Sequence, residues 1–299
     1  MRGSSLIVLK SNNIAEEISH RDNVFIYSFI HQPSLSKESK IHYERVIRNF
    51  FSYFSEYSIQ SITTAHIILY LKKMENKSAT TKNFSLKVLS SLFSFLFKSG
   101  YIQRNPALVV GLEKVPDQFQ SKILSTDQIN RIIELETDLP KKILIKILYF
   151  TGLRISEALS LKVDSFRPSQ EGGAFMTVIG KGTKVRTVFM PYEFYQEIQD
   201  YIQSQNINAG YLFFESLPSK ALSRFQALRI IKAAAKRAKI HPMPSPHWFR
   251  HSSATHAIEA GAPIHVVQHT LGHASINTTG KYLHASLDTS NATFLMLKK

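Results

Sequence analysis

The sequence predicts a mainly α-helical protein with one small β-sheet, divided into two domains. Three observations carry that prediction. Apolar residues recur at helical spacing from about residue 20 to 110. A polar stretch, EKVPDQFQSK at 113–122, then interrupts the periodicity. Beyond it only AFMTVI (174–179) and VRTVFM (185–190) alternate as strands do, joined by GKGTK. With 299 residues, 43% of them hydrophobic, the chain is long enough to build two cores. The expected boundaries are an N-terminal tail over 1–19, a helical domain over 20–112, a linker over 113–122 and a second, mostly helical domain over 123–299.

The elements follow in order from local signals. In SKIHYERVIRNFFSYFSEY, Ile41, Val46, Phe50, Phe51 and Phe54 are expected to fall mostly on one apolar stripe with Lys and Arg opposite. TTAHIILYLKKM and TKNFSLKVLSSLFSFLFKSG repeat the pattern, with Thr63 or Thr64 as N-cap and Gly100 as a C-terminal stop. STDQ at 125–128 has the form of a capping box. PKKILIKILYF runs into TGLRISE (151–157), where a Thr-Gly helix stop sets Arg154 at the head of another short helix. After the hairpin, helical spacing returns in YEFYQEIQDYIQ, SRFQALRIIKAAAKRAKI, SPHWFRHSSATHAIEAG and APIHVVQHTLGH. Ser245 can cap the third of these with Pro246 in its first position, and the fourth starts near Pro263 and stops at Gly272. No internal repeat is visible, which sets solenoids aside.

Charge narrows the partners. Lys and Arg number 37 against 22 Asp and Glu, a net +15 that suits a polyanion such as nucleic acid. A membrane surface is the competing polyanion, but no run of about 18 apolar residues occurs, and MRGSSLIVLKSNN is too short and polar for a secretory signal. The expected location is cytoplasmic and nucleoid-associated. Zero cysteines remove disulfides, cysteine–zinc sites and thiol catalysis together.

Eight of the twelve histidines fall between His241 and His284, a concentration that points to a bound polar group. His247 with His251, and His269 with His273, stand at i, i+4, a spacing that suits two metal ligands. The sequence has no His-Glu-x-x-His and no nearby third carboxylate, and Arg250 would oppose a dication, so no metal is expected. Anion binding accounts for more of the set. His247 and Arg250 stand three apart on one helix face and could donate to one anion. Two arginine forks with imidazole donors can stabilise the negative charge that builds on a phosphodiester under attack. Tyr282 could be the nucleophile, although ionising a phenol of pKa about 10 at pH 7 costs about 4 kcal/mol, which surrounding cations must offset. Lys181, at the hairpin tip, could protonate a departing 5′ oxygen; Lys184 occupies the same turn, and the GKG setting favours Lys181. Taken singly, Arg154 could simply pair with Glu157, and KAAAKRAK (232–239) could be a solvated face or a set of phosphate contacts. His251 and His269 read as packing or supporting groups, and Glu157 as support for the site.

Four segments in this order, TGLRISEALSL, VIGKGTKVRTVFMP, HWFRHSSATHAIEAG and LGHASINTTGKY, resemble the tyrosine recombinases of the phage integrase superfamily, in the style of Xer proteins. SKESKIHYERVIRNF and KSGYIQRNPA resemble that family's helical core-binding domain, so the likeness runs from about residue 20 to nearly the end. The resemblance implies that Arg154 is the first catalytic arginine, Lys181 the hairpin lysine, His247 and Arg250 the central His-x-x-Arg pair, His273 the second histidine and Tyr282 the nucleophile. It also implies a two-domain clamp around double-stranded DNA at a specific recombination site. Four protomers would act on two sites, as a homotetramer or with a sister recombinase, with accessory proteins as further partners. Strand exchange would pass through a 3′-phosphotyrosyl intermediate and a Holliday junction and need no cofactor. Dimer resolution and the integration or excision of a mobile element both remain open as its task. Ser253 departs from the bulky apolar residue common at that position, and Gly280 and Lys281 directly precede Tyr282. The tail with Phe294, Leu295, Met296 and Leu297 is expected to contact a neighbouring protomer. A type IB topoisomerase-like relaxation activity shares this chemistry and is the nearest alternative; a non-catalytic DNA-binding regulator would leave the ordered Arg, Lys, His, Arg, His, Tyr set unexplained.

Overall fold

The computed structural model describes residues 20–116, 119–170, 172–180, 182 and 184–272. Lys181, His273, Tyr282, Gly280, His284, the tail over 1–19 and the C-terminal segment with Phe294 to Leu297 lie outside the described residues. The chain divides into two compact units, 1–117 and 118–299.

In the first unit four helices, α1 (His20–Ile30), α2 (Lys37–Tyr53), α3 (Thr64–Lys73) and α4 (Ala79–Lys98), surround an aromatic core. Phe50 lies fully buried at its centre, with the rings of Phe51, Phe54, Tyr70 and Phe93 around it. Edge-to-face contact among these rings adds to their area burial. The starts of α2, α3 and α4 are satisfied locally. Ser36 Oγ accepts from Ser39 N–H at 3.2 Å, Ser78 Oγ accepts from Thr81 N–H at 3.3 Å, and Thr63 N–H donates to His66 Nδ1 at 3.0 Å. α4 ends as expected at Gly100, whose φ of +67° allows Gly100 N–H to reach Phe97 O at 3.0 Å and Tyr101 N–H to reach Leu96 O at 2.9 Å, a Schellman closure. Ile41 does not join the apolar stripe: it is 58% exposed, while Val46, Ile47, Phe50, Phe51 and Phe54 are buried. At about 100° per residue Ile41 stands half a turn away from Phe50, on the solvent side.

The second unit is built around α6 (Leu139–Phe150), in which Ile143, Leu144, Ile145, Ile147 and Leu148 are all buried. α5 (Thr126–Glu134) opens with the expected capping box: Gln128 N–H donates to Ser125 Oγ at 3.2 Å and Ser125 N–H to Gln128 Oε1 at 2.9 Å. α7 (Ile155–Leu159) follows α6 directly. The sheet has three antiparallel strands in sequence order: β1 (Phe166–Pro168), β2 (Ala174–Ile179) and β3 (Val185–Met190). β2 and β3 take the bounds expected of them, in register from Ala174 opposite Met190 to Ile179 opposite Val185. β1 is an addition to the two expected strands. Three residues are too few to show alternation, and Pro168 is tolerated because β1 is an edge strand. Four further helices follow among the described residues: α8 (Tyr192–Ser204), α9 (Arg224–Arg237), α10 (Pro246–Glu259) and α11 (Ile264–Leu271). α10 packs on α6 through Phe249 and on α11 through Ala254, and Ser252 ties it to the start of the unit by accepting from Leu124 N–H at 2.8 Å. Among the described residues no helix is long and apolar enough to cross a membrane.

Candidate active site

The site begins where α6 ends. Thr151 N–H still bonds back to Ile147 O at 3.1 Å, and Gly152 then turns the chain with φ +59°. A Cβ at Gly152 would stand 2.6 Å from Leu271 Cδ2 and 3.2 Å from Ser253 Oγ, so backbone geometry and close packing both call for glycine there. Ser253, the residue that departs from the resembled pattern, is therefore part of the wall against which this turn is packed.

The turn delivers Arg154 to the N-cap of α7, with extended φ −66° and ψ 146°. Glu157, one turn along, closes the cap in place of a hydroxyl residue: its Oε2 accepts from Arg154 N–H at 2.9 Å, while its Oε1 accepts from Arg154 NH1 at 2.9 Å. The local ion pair open to Arg154 from its sequence is thus formed, and it holds both the backbone and the side chain of the arginine.

Arg250 arrives from α10. It is 3% exposed and donates to two backbone carbonyls, Gly152 O at 2.6 Å and Leu271 O at 2.7 Å. Arg154 NH1 reaches the same Leu271 O at 3.5 Å. Leu271 closes α11, so its carbonyl is one of those a helix leaves without an intrahelical partner, at the negative end of the helix dipole. That carbonyl brings together two guanidiniums that lie 96 positions apart in the chain (250 − 154). His247 stands in the first turn of α10 with its ring open to solvent. Partial loss of water lowers its pKa below the usual histidine value, and the charges of Arg250 and then Arg154 lower it further. The ring sits within the field of both arginines, which disfavours its charged form.

A further residue, Arg186 on β3, completes the cluster and was not singled out in the sequence. Its NH2 and NH1 donate to Glu157 Oε2 and Oε1 at 2.7 and 3.2 Å, and its Nε donates to Thr270 O at 2.9 Å. A signal for it existed: Arg186 shares the inward face of β3 with buried Val188 and Met190, two and four residues on, where a charge needs a partner. Burial pushes the Glu157 carboxyl up. The Arg186 hydrogen bond, the Arg154 amide, the Arg186 charge and the Arg154 guanidinium together more than offset this, and the group stays below the usual carboxylate range.

Of the six residues expected to carry the chemistry, Arg154, His247 and Arg250 therefore converge. Lys181, His273 and Tyr282 lie outside the described residues; of their neighbours, Gly180, Gly182 and Gly272 are described. Gly180 N–H bonds Lys184 O at 2.8 Å across the hairpin turn, and Gly272 ends α11 in the left-handed region at φ +65°. Lys184 is exposed in that turn. His251 packs edge-on to Phe119 with ring centroids 5.0 Å apart, a packing role as expected, whereas His269 is exposed on α11. Among the described residues no three His, Asp or Glu side chains gather as a metal site would require. On α9 and just past its end, Lys232, Lys236 and Lys239 face solvent beside buried Ala234, Ala235 and Ala238.

Comparison with known proteins gives a consistent picture. Residues 122–288 match the model of the phage integrase family, and residues 24–100 match the phage integrase N-terminal SAM-like domain. Tyrosine recombinase XerD of Rickettsia prowazekii (strain Madrid E) is 31% identical over 283 residues, covering 87% of this chain and 91% of its own. Tyrosine recombinase XerA of Pyrococcus furiosus is 32% identical over 231 residues, covering 74% and 76%. Among solved structures, the XerH site-specific recombinase bound to difH substrate in a pre-cleavage complex superposes with a TM-score of 0.69 at 23% identity, over 86% of this chain and 77% of that one. A lambda integrase(75-356) dimer bound to a COC' core site gives 0.72 at 16%, over 90% and 97%. At those identities the superpositions establish the fold.

Proposed function

The chain belongs to the phage integrase family and is an Xer-like tyrosine recombinase, and on that premise we propose how its residues divide the work. Arg154 and Arg250 grip the scissile phosphate of duplex DNA, with His247 and His273 as further donors. Tyr282 attacks the phosphorus. A bond forms between its phenolic oxygen and phosphorus, the bond to the 5′ oxygen breaks, the phenol gives up its proton, and Lys181 supplies one to the departing oxygen. The phosphotyrosyl bond keeps the energy of the broken phosphodiester, so a partner strand's 5′-hydroxyl can attack it in reverse, through a Holliday junction, with no cofactor. The enzyme works as a tetramer on two sites, built from this chain alone or with a sister recombinase, and its C-terminal tail contacts the neighbouring protomer.

The observation that carries this reading is the meeting of two guanidiniums at Leu271 O, with the His247 ring in their field. Two planar forks of fixed position are what a phosphoryl group gaining negative charge requires, and their charge is already paid for in the folded state. Sequencing the DNA ends covalently attached to the protein in its host identifies the target site. A nicked duplex carrying that site should then trap a covalent complex with the wild-type protein and none with Tyr282→Phe. A Tyr282→Phe variant that still forms the adduct, or a wild type that never does, would refute the assignment.

A further inference from the structure

Arg186 touches three of the four segments that carry the site. It holds both oxygens of Glu157, it bonds Thr270 O at the end of α11, and its guanidinium covers Gly272, where a Cβ would meet it at 3.0–3.1 Å. Its NH1 and Glu157 Oε1 also border Gly180, each 3.5 Å from where a Cβ would stand, at the root of the turn that carries Lys181. The side chain is only 9% exposed, against 36% for Arg154, while Glu157 is 4% exposed. Arg186 is thus buried with its charge directed at the carboxylate. Arg154 is open, and its Nε and NH2 make no hydrogen bond with any described residue.

We propose that Arg186 is a positioning residue that serves as the counter-ion of Glu157, so that Arg154 keeps its positive charge for the phosphate. Glu157 is needed to cap α7 and to orient Arg154, but one carboxylate against one arginine leaves a neutral pair with little pull on an anion. A second, buried arginine restores a net charge of +1 to the three side chains and keeps the exposed fork available. Arg186 does not itself touch the substrate. A lysine there would supply the charge without the two-pronged grip on the carboxylate or the third bond to Thr270 O.

This inference rests on Arg154 binding the phosphate, and a double-substitution cycle on the nicked duplex described above tests it. Arg186→Met should slow covalent-complex formation by roughly tenfold or more, because Glu157 then neutralises Arg154. In Glu157→Gln, which keeps an acceptor for Arg154 but has no charge, adding Arg186→Met should change the rate by less than about threefold, since the counter-ion has nothing left to balance. The second comparison pairs two variants without a buried unmatched carboxylate, so it stands even if Arg186→Met alone fails to fold. A double variant that remains roughly tenfold below Glu157→Gln, at equal melting temperature, overturns the inference and makes Arg186 a direct or purely structural contributor. If the wild type forms no adduct, the proposed function itself falls, a result distinct from loss of rescue.

Discussion

Arg154 and Arg250 meet at one carbonyl, yet the structure holds them by opposite means. Arg250 is sunk into the interior at 3% exposure and bonds Gly152 O and Leu271 O, so it joins the end of α6 to the end of α11. Arg154 stands open on the cap of a five-residue helix and is tethered by a carboxylate that a second arginine already satisfies. The difference separates two tasks within one site. The buried arginine is part of the fold and presents whatever edge the packing leaves; the open one can be lost with little cost to the fold because Glu157 retains Arg186.

The sharpest way to break this contrast is to truncate each arginine in turn. Arg250→Ala should cost about 3 kcal/mol of stability by removing the donor of Gly152 O and leaving Leu271 O with only the 3.5 Å approach of Arg154, and covalent cleavage should vanish with it. Arg154→Ala should cost under about 1 kcal/mol, since the Arg154 side chain is 36% exposed and Glu157 keeps Arg186, while cleavage falls by about 10²–10³. Thermal denaturation alongside adduct formation checks both; equal losses of stability would erase the distinction.

A smaller effect probes the junction of the two arrangements. Gly272→Ala puts a Cβ on a residue at φ +65° and 3.0–3.1 Å from the Arg186 guanidinium, and should cost about 2 kcal/mol. Because the crowded group is Arg186 rather than Arg250, it should act mainly on the Glu157 side. An Arg186→Lys background should relieve part of the cost, as followed by denaturant midpoints.

The smallest effect is in pH. The Glu157 carboxyl has a folded pKa below its unfolded value of 4.5, so its contribution to stability is fully present above pH 4.5 and is lost as pH falls through the folded value. Glu157→Gln should flatten that acid limb. His247, whose folded pKa is also lowered, adds a loss that begins as pH falls below 6.5, because the unfolded chain takes up that proton first. His247→Gln should remove this earlier slope and leave the Glu157 limb in place, which a set of melting curves from pH 7 down to well below pH 4.5 would reveal.

Much of the architecture was readable because its causes are local. Ser125 with Gln128, Gly100, Pro246, Pro263 and Gly272 mark helix ends through bonds within a few residues, and AFMTVI and VRTVFM alternate over their full observed length. Ile41 misled because an apolar residue near a stripe does not reveal its azimuth until the helix phase is set by burial of Val46 through Phe54. β1 escaped because three residues have no period to detect. In the site, Arg154, His247 and Arg250 were legible through their ordered motifs, and the Arg154–Glu157 pair through its spacing. Arg186 was missed although it stands in phase with Val188 and Met190, since a lone arginine in a strand looks like an outward charge until the sheet's inner face is known.

The amino-acid order alone therefore determined the helices, the hairpin, the two-unit division and which motif side chains stand at element ends, because capping, periodicity and turn chemistry act over three or four residues. Only the tertiary structure decided which groups those side chains meet. The bonds from Arg250 to Gly152 span 98 positions, from Arg186 to Thr270 84 and from Arg186 to Glu157 29, and no local period encodes a contact at such distances. What selects them is the requirement that charges carried inward by packing find partners, at helix-end carbonyls for one arginine and at a shared carboxylate for the others.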